Sequence, residues 1–123
     1  MGRRIELEVE GKGKALIELD SRNPRIAESI YRSLPIEGVA GVWQEEVYFE
    51  VPLRLGDENP SPNAERGDVS YWEPGPAICI FFGESQPYSP VNHIGKVVEG
   101  LEFFRGVGGR RESSIEEGGL ALL

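Results

Sequence analysis

The most apolar segment of the chain is AICIFF, which runs from Ala77 to Phe82 between Gly75-Pro76 and Gly83. A short apolar run bounded by glycine and proline is typical of a β-strand that is buried on both faces, because a buried helix needs a longer run. The chain also holds 16 glycines and 9 prolines among its 123 residues, and this share indicates many turns. A doubly buried strand in a turn-rich chain predicts a β-rich fold.

Alternation of apolar and polar residues predicts the other strands. They cover 5–9, 15–19, 44–51, 69–72 and 93–98, and a last strand is drawn from Ile115 and 120–123. A helix is predicted over 24–34, because Asn23-Pro24 forms a typical start and Pro35 a stop. A second short helix is predicted near 100–105. Seven or eight strands with two short helices predict a closed barrel capped by the helices, because closure leaves no unpaired sheet edge.

Composition excludes several classes of protein. The net charge of −8 disfavours nucleic acid and anionic membranes as partners. No apolar run approaches the roughly 18 residues of a spanning helix, and the N-terminus lacks the hydrophobic stretch of a secretion signal. With one cysteine and one histidine in the chain, we expect no internal disulfide, no metal site and no cofactor. The expectation is a single cytoplasmic domain over 1–123, and no pattern in the sequence specifies an oligomeric state.

Several segments share an order with one known family. GKVVEG at 95–100 precedes a short amphipathic helix, and residues 4–18 form a hairpin. Further matches are Pro24, Ala27, Glu28 and Leu34 in the first helix, Val51-Pro52 at a strand end, and Gly67, Ser70, Gly75-Pro76 and Phe81-Phe82 in the buried region. Collinear along nearly the whole chain, these segments resemble cyclophilins. GDVSYWEPGPAICIFFG and SPVNHIG are similar to small prokaryotic cyclophilin-like proteins of unestablished function. The resemblance implies an eight-stranded barrel with two helices.

The resemblance also sets expectations about catalysis. Cyclophilins use an arginine, three residues before the proline of their Phe-x-Arg-x-x-Pro strand, to stabilise the twisted amide of the substrate. In this sequence that position is Phe49, between Tyr48 and Glu50. Arg54 lies just past Pro52, where the family has a pocket phenylalanine. We therefore expect a chain that is not a competent peptidyl-prolyl isomerase, and no catalytic residue is assigned.

A ligand-binding cleft is predicted from the positions that match the pocket and groove of cyclophilins. Phe82 matches a pocket phenylalanine, Leu55 a methionine, and Trp72-Glu73 the pair that lines the adjacent groove. His93 is placed near the rim, and Arg54 is the one arginine that could replace the missing cation. The prediction is that Trp72, Glu73, Leu55 and Phe82 line one pocket, with His93 near its rim and Arg54 as a further candidate. The expected ligand is a small molecule or a proline-containing peptide segment. The acidic charge favours a neutral or cationic ligand.

Three functional classes remain open. The first is a binding module that uses the cleft for a peptide segment or a small ligand. The second is a divergent or weak peptidyl-prolyl isomerase, which would need an arginine such as Arg54 in the cleft. The third is a non-isomerase enzyme or enzyme subunit of amidohydrolase type, which would need a carboxylate such as Glu50 or Glu73 facing His93.

Two local interpretations complete the sequence reading. Cys79, inside AICIFF, is interpreted as a buried and inert thiol. The pair Glu45-Glu46 is interpreted as a solvated strand end.

Overall fold

The structure of the protein is a computed structural model that describes residues 3–9, 13–104 and 119–123. Within these ranges the chain forms nine β-strands, one α-helix and one short 3-10 helix. In chain order the elements are β1 (Arg4–Val9), β2 (Gly13–Leu19), α1 (Pro24–Arg32), β3 (Ile36–Val39), β4 (Gly41–Trp43), β5 (Glu46–Glu50), β6 (Asp68–Trp72), β7 (Ala77–Phe81), β8 (Asn92–Glu99), the 3-10 helix (Leu101–Phe104) and β9 (Gly119–Leu122).

The nine strands form one antiparallel sheet in the order β3-β9-β1-β2-β8-β6-β7-β5-β4. The two end strands, β3 and β4, are neighbours in sequence and are separated only by Ala40. The sheet therefore curls until its two ends meet at one stretch of chain, and β3 packs beside β5. The predicted mainly-β class and the barrel are confirmed.

The strand count differs from the prediction of eight, since the structure has nine strands in its described ranges. The additional strands come from IEGVAGVW at 36–43, where two glycines interrupt any long alternation. The helix predicted over 24–34 is α1, and the one predicted near 100–105 is the 3-10 helix. The GKVVEG motif forms part of β8 and the turn into this helix, where Gly100 has a φ of 93° that favours glycine. Ile115, drawn into the predicted last strand, lies outside the described residues.

The main core fills the barrel with one side of every long strand. Alternate residues of β1, β2 and β5–β7 point inward, as the period of two predicts. Helix α1 covers one end of the barrel with its apolar face. The inward residues with no measurable exposure are Leu7, Ile17, Ile26, Ile30, Val47, Phe49, Val69, Tyr71, Ile78, Ile80, Ile94 and Leu122.

A second, smaller core lies on the outer face of β6 and β7. It consists of Cys79, Phe81 and Val91, with Ala64 and Trp72 packed against it. Two loops, residues 56–67 and 83–91, cover this face and are joined to each other at the Ser61–Val91 bridge. The AICIFF strand is therefore buried on both faces, as predicted, by the main core on its inner face and by the second core and the two loops on its outer face.

The N-terminus of α1 is capped from a distant loop. Asn23 precedes the helix, but its side chain makes no capping hydrogen bond. Instead, its Oδ1 accepts from the backbone N–H of Asn59 at 2.6 Å, and its Nδ2 donates to the carbonyl of His93 at 2.8 Å. The carboxylate of Glu58 accepts from the backbone N–H groups of Arg25 at 3.2 Å and Ile26 at 3.0 Å. Glu58 therefore ties the 56–67 loop to the helix.

Replacing Glu58 with alanine should lower the free energy of unfolding by about 1 kcal/mol, the typical cost of losing a helix N-cap. The reason is that two free N–H groups at the start of α1 lose their acceptor. Urea unfolding followed by circular dichroism measures the change. Glu99→Ala, which removes an exposed glutamate, is the matched control and should change little. An equal loss in both variants would contradict the capping role.

Candidate functional site

A mainly apolar depression lies on the outer face of the barrel. It has a volume of about 240 Å³. We call it the outer pocket. Its lining residues are Trp43, Glu46, Tyr48, Trp72, Cys79, Pro87, Tyr88 and Val91.

Strand alternation brings most of these side chains to one face. In β5 the core residues Val47 and Phe49 point inward, so Glu46 and Tyr48 point outward. The register then sets Tyr48 beside Cys79 of β7. Four of the lining residues therefore come from β5, β6 and β7, namely Glu46, Tyr48, Trp72 and Cys79.

The β4–β5 hairpin supplies Trp43 and sets it opposite Glu46. Its two-residue turn, Gln44-Glu45, has Gln44 at a φ of 55°, as tight hairpins require. Gly41 of β4 faces Tyr48, and a Cβ at this position would lie only 2.7 Å from the Tyr48 ring. The absence of a side chain at Gly41 therefore lets the tyrosine ring lie flat across β4.

Aromatic rings form the walls of the outer pocket. The ring of Tyr88 meets Trp43 edge-to-face, with centroids 6.1 Å apart, and meets Trp72 in the same way at 6.4 Å. The indole N–H of Trp72 donates to Ser89 Oγ at 2.8 Å, which fixes the orientation of the ring. Tyr88 is 76% exposed, so it forms an open rim rather than part of the core. The rings are arranged before any ligand arrives.

The loop that carries Tyr88 is anchored by Glu45. Its carboxylate accepts from the backbone N–H groups of Glu84 at 2.7 Å and Ser85 at 3.1 Å, and its own N–H donates to Ser85 Oγ at 3.0 Å. Gln86 adds two hydrogen bonds to the backbone of Ala64, at 2.9 and 3.0 Å. The solvated strand end predicted for Glu45-Glu46 is therefore wrong for Glu46, which is buried, whereas Glu45 is exposed as predicted.

Glu46 is a buried acid in the pocket wall, with only 8% of the residue exposed. Burial raises the pKa of its carboxyl group, and a side-chain hydrogen bond with Cys79 partly lowers it. Burial also raises the pKa of the Cys79 thiol well above its ordinary value, as does the neighbouring charge of Glu46. Cys79 is buried, as predicted. None of the ion pairs among the described residues includes Glu46.

His93 lies in a different place, inside a buried charge cluster beside β6. Its Nδ1 is 2.7 Å from Ser70 Oγ and 3.7 Å from Asp68 Oδ2, and its Nε2 is 2.7 Å from the carbonyl of Asn63. Since a carbonyl can only accept, Nε2 donates to the Asn63 carbonyl, and Nδ1 shares a hydrogen bond with the Ser70 hydroxyl. Serine, histidine and aspartate suggest a nucleophilic triad, but Ser70 is 0% exposed and no substrate reaches it.

Arg54, Glu73 and Leu55 are gathered around the hydroxyl of Tyr71. Arg54 Nη1 donates to the Glu73 carbonyl at 3.0 Å and approaches its carboxylate at 3.3 Å. The Tyr71 hydroxyl lies 2.6 Å from the same carboxylate and accepts from the Leu55 N–H at 3.0 Å. Burial, then the hydrogen bond to Glu73, raises the pKa of Tyr71 to about 12. These residues hold the 53–56 segment against the barrel.

The six predicted cleft residues thus occupy four places. Trp72 lines the outer pocket, whereas Arg54, Glu73 and Leu55 meet at Tyr71. Phe82 is 5% exposed and belongs to the main core, and His93 belongs to the charge cluster. Glu73 contacts Gly56 and Tyr71, whereas His93 contacts Ser70 and Asn63. The pairing of Glu73 with His93, which an amidohydrolase-type site would need, is therefore not formed. Ligand binding by the six residues stays a prediction.

Sequence reasoning missed Trp43, Tyr48 and Glu46 as pocket residues. A usable signal existed, because alternation in β5 already places Tyr48 and Glu46 on the face opposite the core. Trp43 offered no such signal, since β4 is only three residues long.

No group of three or more histidine, cysteine, aspartate or glutamate side chains within 3–9, 13–104 and 119–123 is arranged to hold a metal ion. In the same ranges no helix has the length and apolarity needed to cross a membrane.

Comparison with known proteins places the chain beside a few solved structures. A model of the cyclophilin-like family matches residues 3–116. A hypothetical protein from Archaeoglobus fulgidus, solved in solution, is 29% identical, with a TM-score of 0.74 over 98% of this chain and 93% of its own. No curated protein matches the sequence significantly.

Two more distant structures share the fold. McbB, solved in complex with tryptophan, is 19% identical with a TM-score of 0.80, and the match covers 96% of this chain but 43% of McbB. A cyclophilin-type peptidyl-prolyl cis-trans isomerase from Cryptosporidium parvum is 14% identical with a TM-score of 0.62, over 95% of this chain and 90% of its own. At these identities the likeness concerns the fold alone.

Proposed function

The chain belongs to the cyclophilin-like family, and from this premise we propose that it is a binding module whose outer pocket takes a small ligand or a proline-containing peptide segment. The observation that carries the proposal is the convergence of four aromatic side chains on one pocket. They are Trp43, Tyr48, Trp72 and Tyr88, and they include both tryptophans of the chain. A predominantly apolar depression with a few polar groups is the usual form of a ligand site.

The size of the pocket limits what it can hold. Its volume of about 240 Å³ is below the roughly 300–1,000 Å³ of pockets for drug-sized molecules. One ring, or one side chain of a longer segment, therefore suits it better than a large ligand. Proline rings pack well on aromatic side chains, and aromatic-lined grooves are a recurrent means of binding proline-rich segments.

The exposure of the rings also supports binding. Trp43 is 36% exposed and Tyr48 38%, so both rings leave apolar surface in contact with water. Large aromatic side chains that stay exposed together mark interaction sites on soluble proteins. A ligand between them would remove this surface from water, at about 25 cal/mol for each Å².

Trp72→Ala should weaken binding by more than about 1 kcal/mol, because it removes a large anchor from the pocket wall. Nuclear magnetic resonance titrations of the labelled protein with a short proline-containing peptide and with tryptophan measure this loss. Tryptophan is included because McbB, which shares the fold, was solved in complex with it.

Tyr31→Ala is the control, since Tyr31 is an exposed aromatic residue on α1 and does not line the pocket. It should leave both affinities unchanged. Equal affinities for Trp72→Ala and the unaltered protein would contradict the proposal. The single domain over 1–123 and the cytoplasmic location expected from the sequence stay predictions.

A further inference from the structure

We infer that the outer pocket selects a cation, an alkylammonium group on an apolar stem, with Glu46 as its counter-ion and the rings of Trp43, Trp72 and Tyr88 around it. The inference rests on the proposed function, because it names the chemical class of ligand that the same pocket takes. A free amine and a lysine side chain both offer this group.

The first support is the position of the Glu46 carboxylate. More than nine-tenths of the residue is buried, yet no lysine, arginine or histidine among the described residues forms an ion pair with it. Its side-chain hydrogen bond is with the Cys79 thiol, a weak donor. Buried carboxylates are normally paired with cations or with strong donors. A ligand ammonium group in the pocket would supply the missing partner.

The second support is the arrangement of the rings. Trp43 lies directly across the hairpin from Glu46, and Trp72 stands on the other side of Tyr88. The face of an aromatic ring carries negative partial charge and attracts cations, with tryptophan the strongest of the three ring types. Rings on several sides together with a carboxylate form a recognition pattern for ammonium groups, whereas a neutral ligand would use the rings alone.

The charge of the molecule points in the same direction. The net charge is −8, and a strongly acidic protein concentrates cations and repels anions near its surface. The apolar walls also require a ligand with an apolar stem, so a metal ion or a fully hydrated cation is a poor fit. Burial raises the pKa of Glu46, and a bound cation would favour its charged form. Affinity for a cation should therefore fall as acid protonates Glu46.

The test compares three probes that share one phenyl stem. They are phenethylammonium, 2-phenylethanol and 3-phenylpropanoate, which are cationic, neutral and anionic. We expect phenethylammonium to bind about tenfold more tightly than the alcohol, a ratio that corresponds to about 1.4 kcal/mol, and the anion to bind most weakly. Calorimetry or chemical-shift titration gives each affinity. A short peptide with one lysine is compared with the same peptide carrying norleucine in its place. Tighter binding of the lysine peptide would identify a lysine side chain as the source of the ammonium group, whereas equal binding of the two peptides would leave a free amine as the source.

Two variants locate the effect. Glu46→Gln keeps the shape of the side chain and should remove most of the preference for the cation, whereas Trp72→Ala should weaken both probes, because each packs its phenyl stem against the ring. Glu50→Gln is the matched control, because Glu50 points outward from the same strand but does not line the pocket. It removes the same charge and should leave the preference intact.

If Glu46→Gln does not fold, the unaltered protein still provides the test. The preference for the cation over the alcohol should shrink as the pH is lowered and Glu46 gains a proton. A preference that is absent at neutral pH, or that survives Glu46→Gln, would overturn the cation inference while leaving the binding module intact. If no phenyl probe, proline peptide or tryptophan binds at all, the proposed function fails as well.

Discussion

Replacing Asp68 with alanine should lower the free energy of unfolding by about 3 kcal/mol, the low end of the cost of breaking a buried ion pair. The Asp68 side chain is only 2% exposed and lies 3.1 Å from Arg22 Nη2 and 3.4 Å from Lys96 Nζ. It also accepts from the Glu65 backbone N–H at 2.8 Å. We choose the low end because Arg22 and Lys96 are 37% and 41% exposed, so water relieves part of their charge.

Urea unfolding at neutral pH measures the loss. Glu65→Ala is the matched control, since Glu65 pairs with the same Lys96 but is 81% exposed, and it should cost less than about 1 kcal/mol. A cost for Asp68→Ala no larger than that of Glu65→Ala would contradict the role of the buried carboxylate.

The same carboxylate should make the protein sensitive to acid. Burial raises the pKa of Asp68, but the hydrogen bond from Glu65 and the charges of His93 and Arg22 outweigh burial, so the pKa falls below its ordinary 3.8. A group with a lowered folded pKa contributes stability above its unfolded pKa, and this contribution is lost as the pH falls through the folded value. Asp68→Asn should therefore flatten the stability curve below about pH 4.

The second large effect concerns prolyl isomerisation. We expect turnover of a standard Xaa-Pro peptide to be about a hundredfold or more below that of a cyclophilin, the cost of losing one transition-state contact of this kind. Phe49, at the position of the cyclophilin arginine, is 0% exposed and points into the barrel. Its neighbours on the outer face are Tyr48 and the acidic Glu50, so no cation replaces the guanidinium there.

A protease-coupled assay against a cyclophilin at equal concentration measures the difference. Arg54→Ala tests the remaining alternative, a divergent isomerase in which Arg54 replaces the missing arginine. The Arg54 guanidinium is held by Glu73, so this variant should leave the rate unchanged. Cyclophilin-like rates in the unaltered protein would refute the expectation, and their loss in Arg54→Ala would identify the replacement cation.

Much of the barrel could be predicted, because burial of one face of a strand produces a regular alternation of apolar and polar residues. In β1, β2 and β5 every second residue is apolar, so the period alone locates the strand and its inner face. In 36–43 this alternation is missing, because β3 and β4 are only four and three residues long and β3 pairs with the distant β9. No local pattern reveals such short strands or such distant pairing, and both strands were missed for this reason.

The site was less predictable than the fold. Trp72 could be placed at a rim because it ends a strand beside a rigid Pro74-Gly75-Pro76 turn. Glu46 could not be recognised as buried, because the residues before it, Gln44 and Glu45, are polar and its partner across the sheet is Phe81 of the distant β7. Phe82 matched a pocket position of the family, yet it belongs to the main core here. Burial that arises from distant segments is invisible to a local reading.

The position of β9 between β3 and β1 determines when the barrel can close during synthesis. Among the described strands, β3 pairs with β9 alone, and β9 leaves the ribosome some eighty residues later. Until then the stretch that carries β3 and β4, and with it Trp43, is joined to the sheet on the β5 side alone. Contacts between such distant segments form slowly, because a long loop must close first. The barrel therefore closes late, whereas the outer pocket is built from β4–β7 and the 83–91 loop, all of which precede β9 in the chain. A ligand that requires Trp43 thus has its whole site available before the barrel is closed.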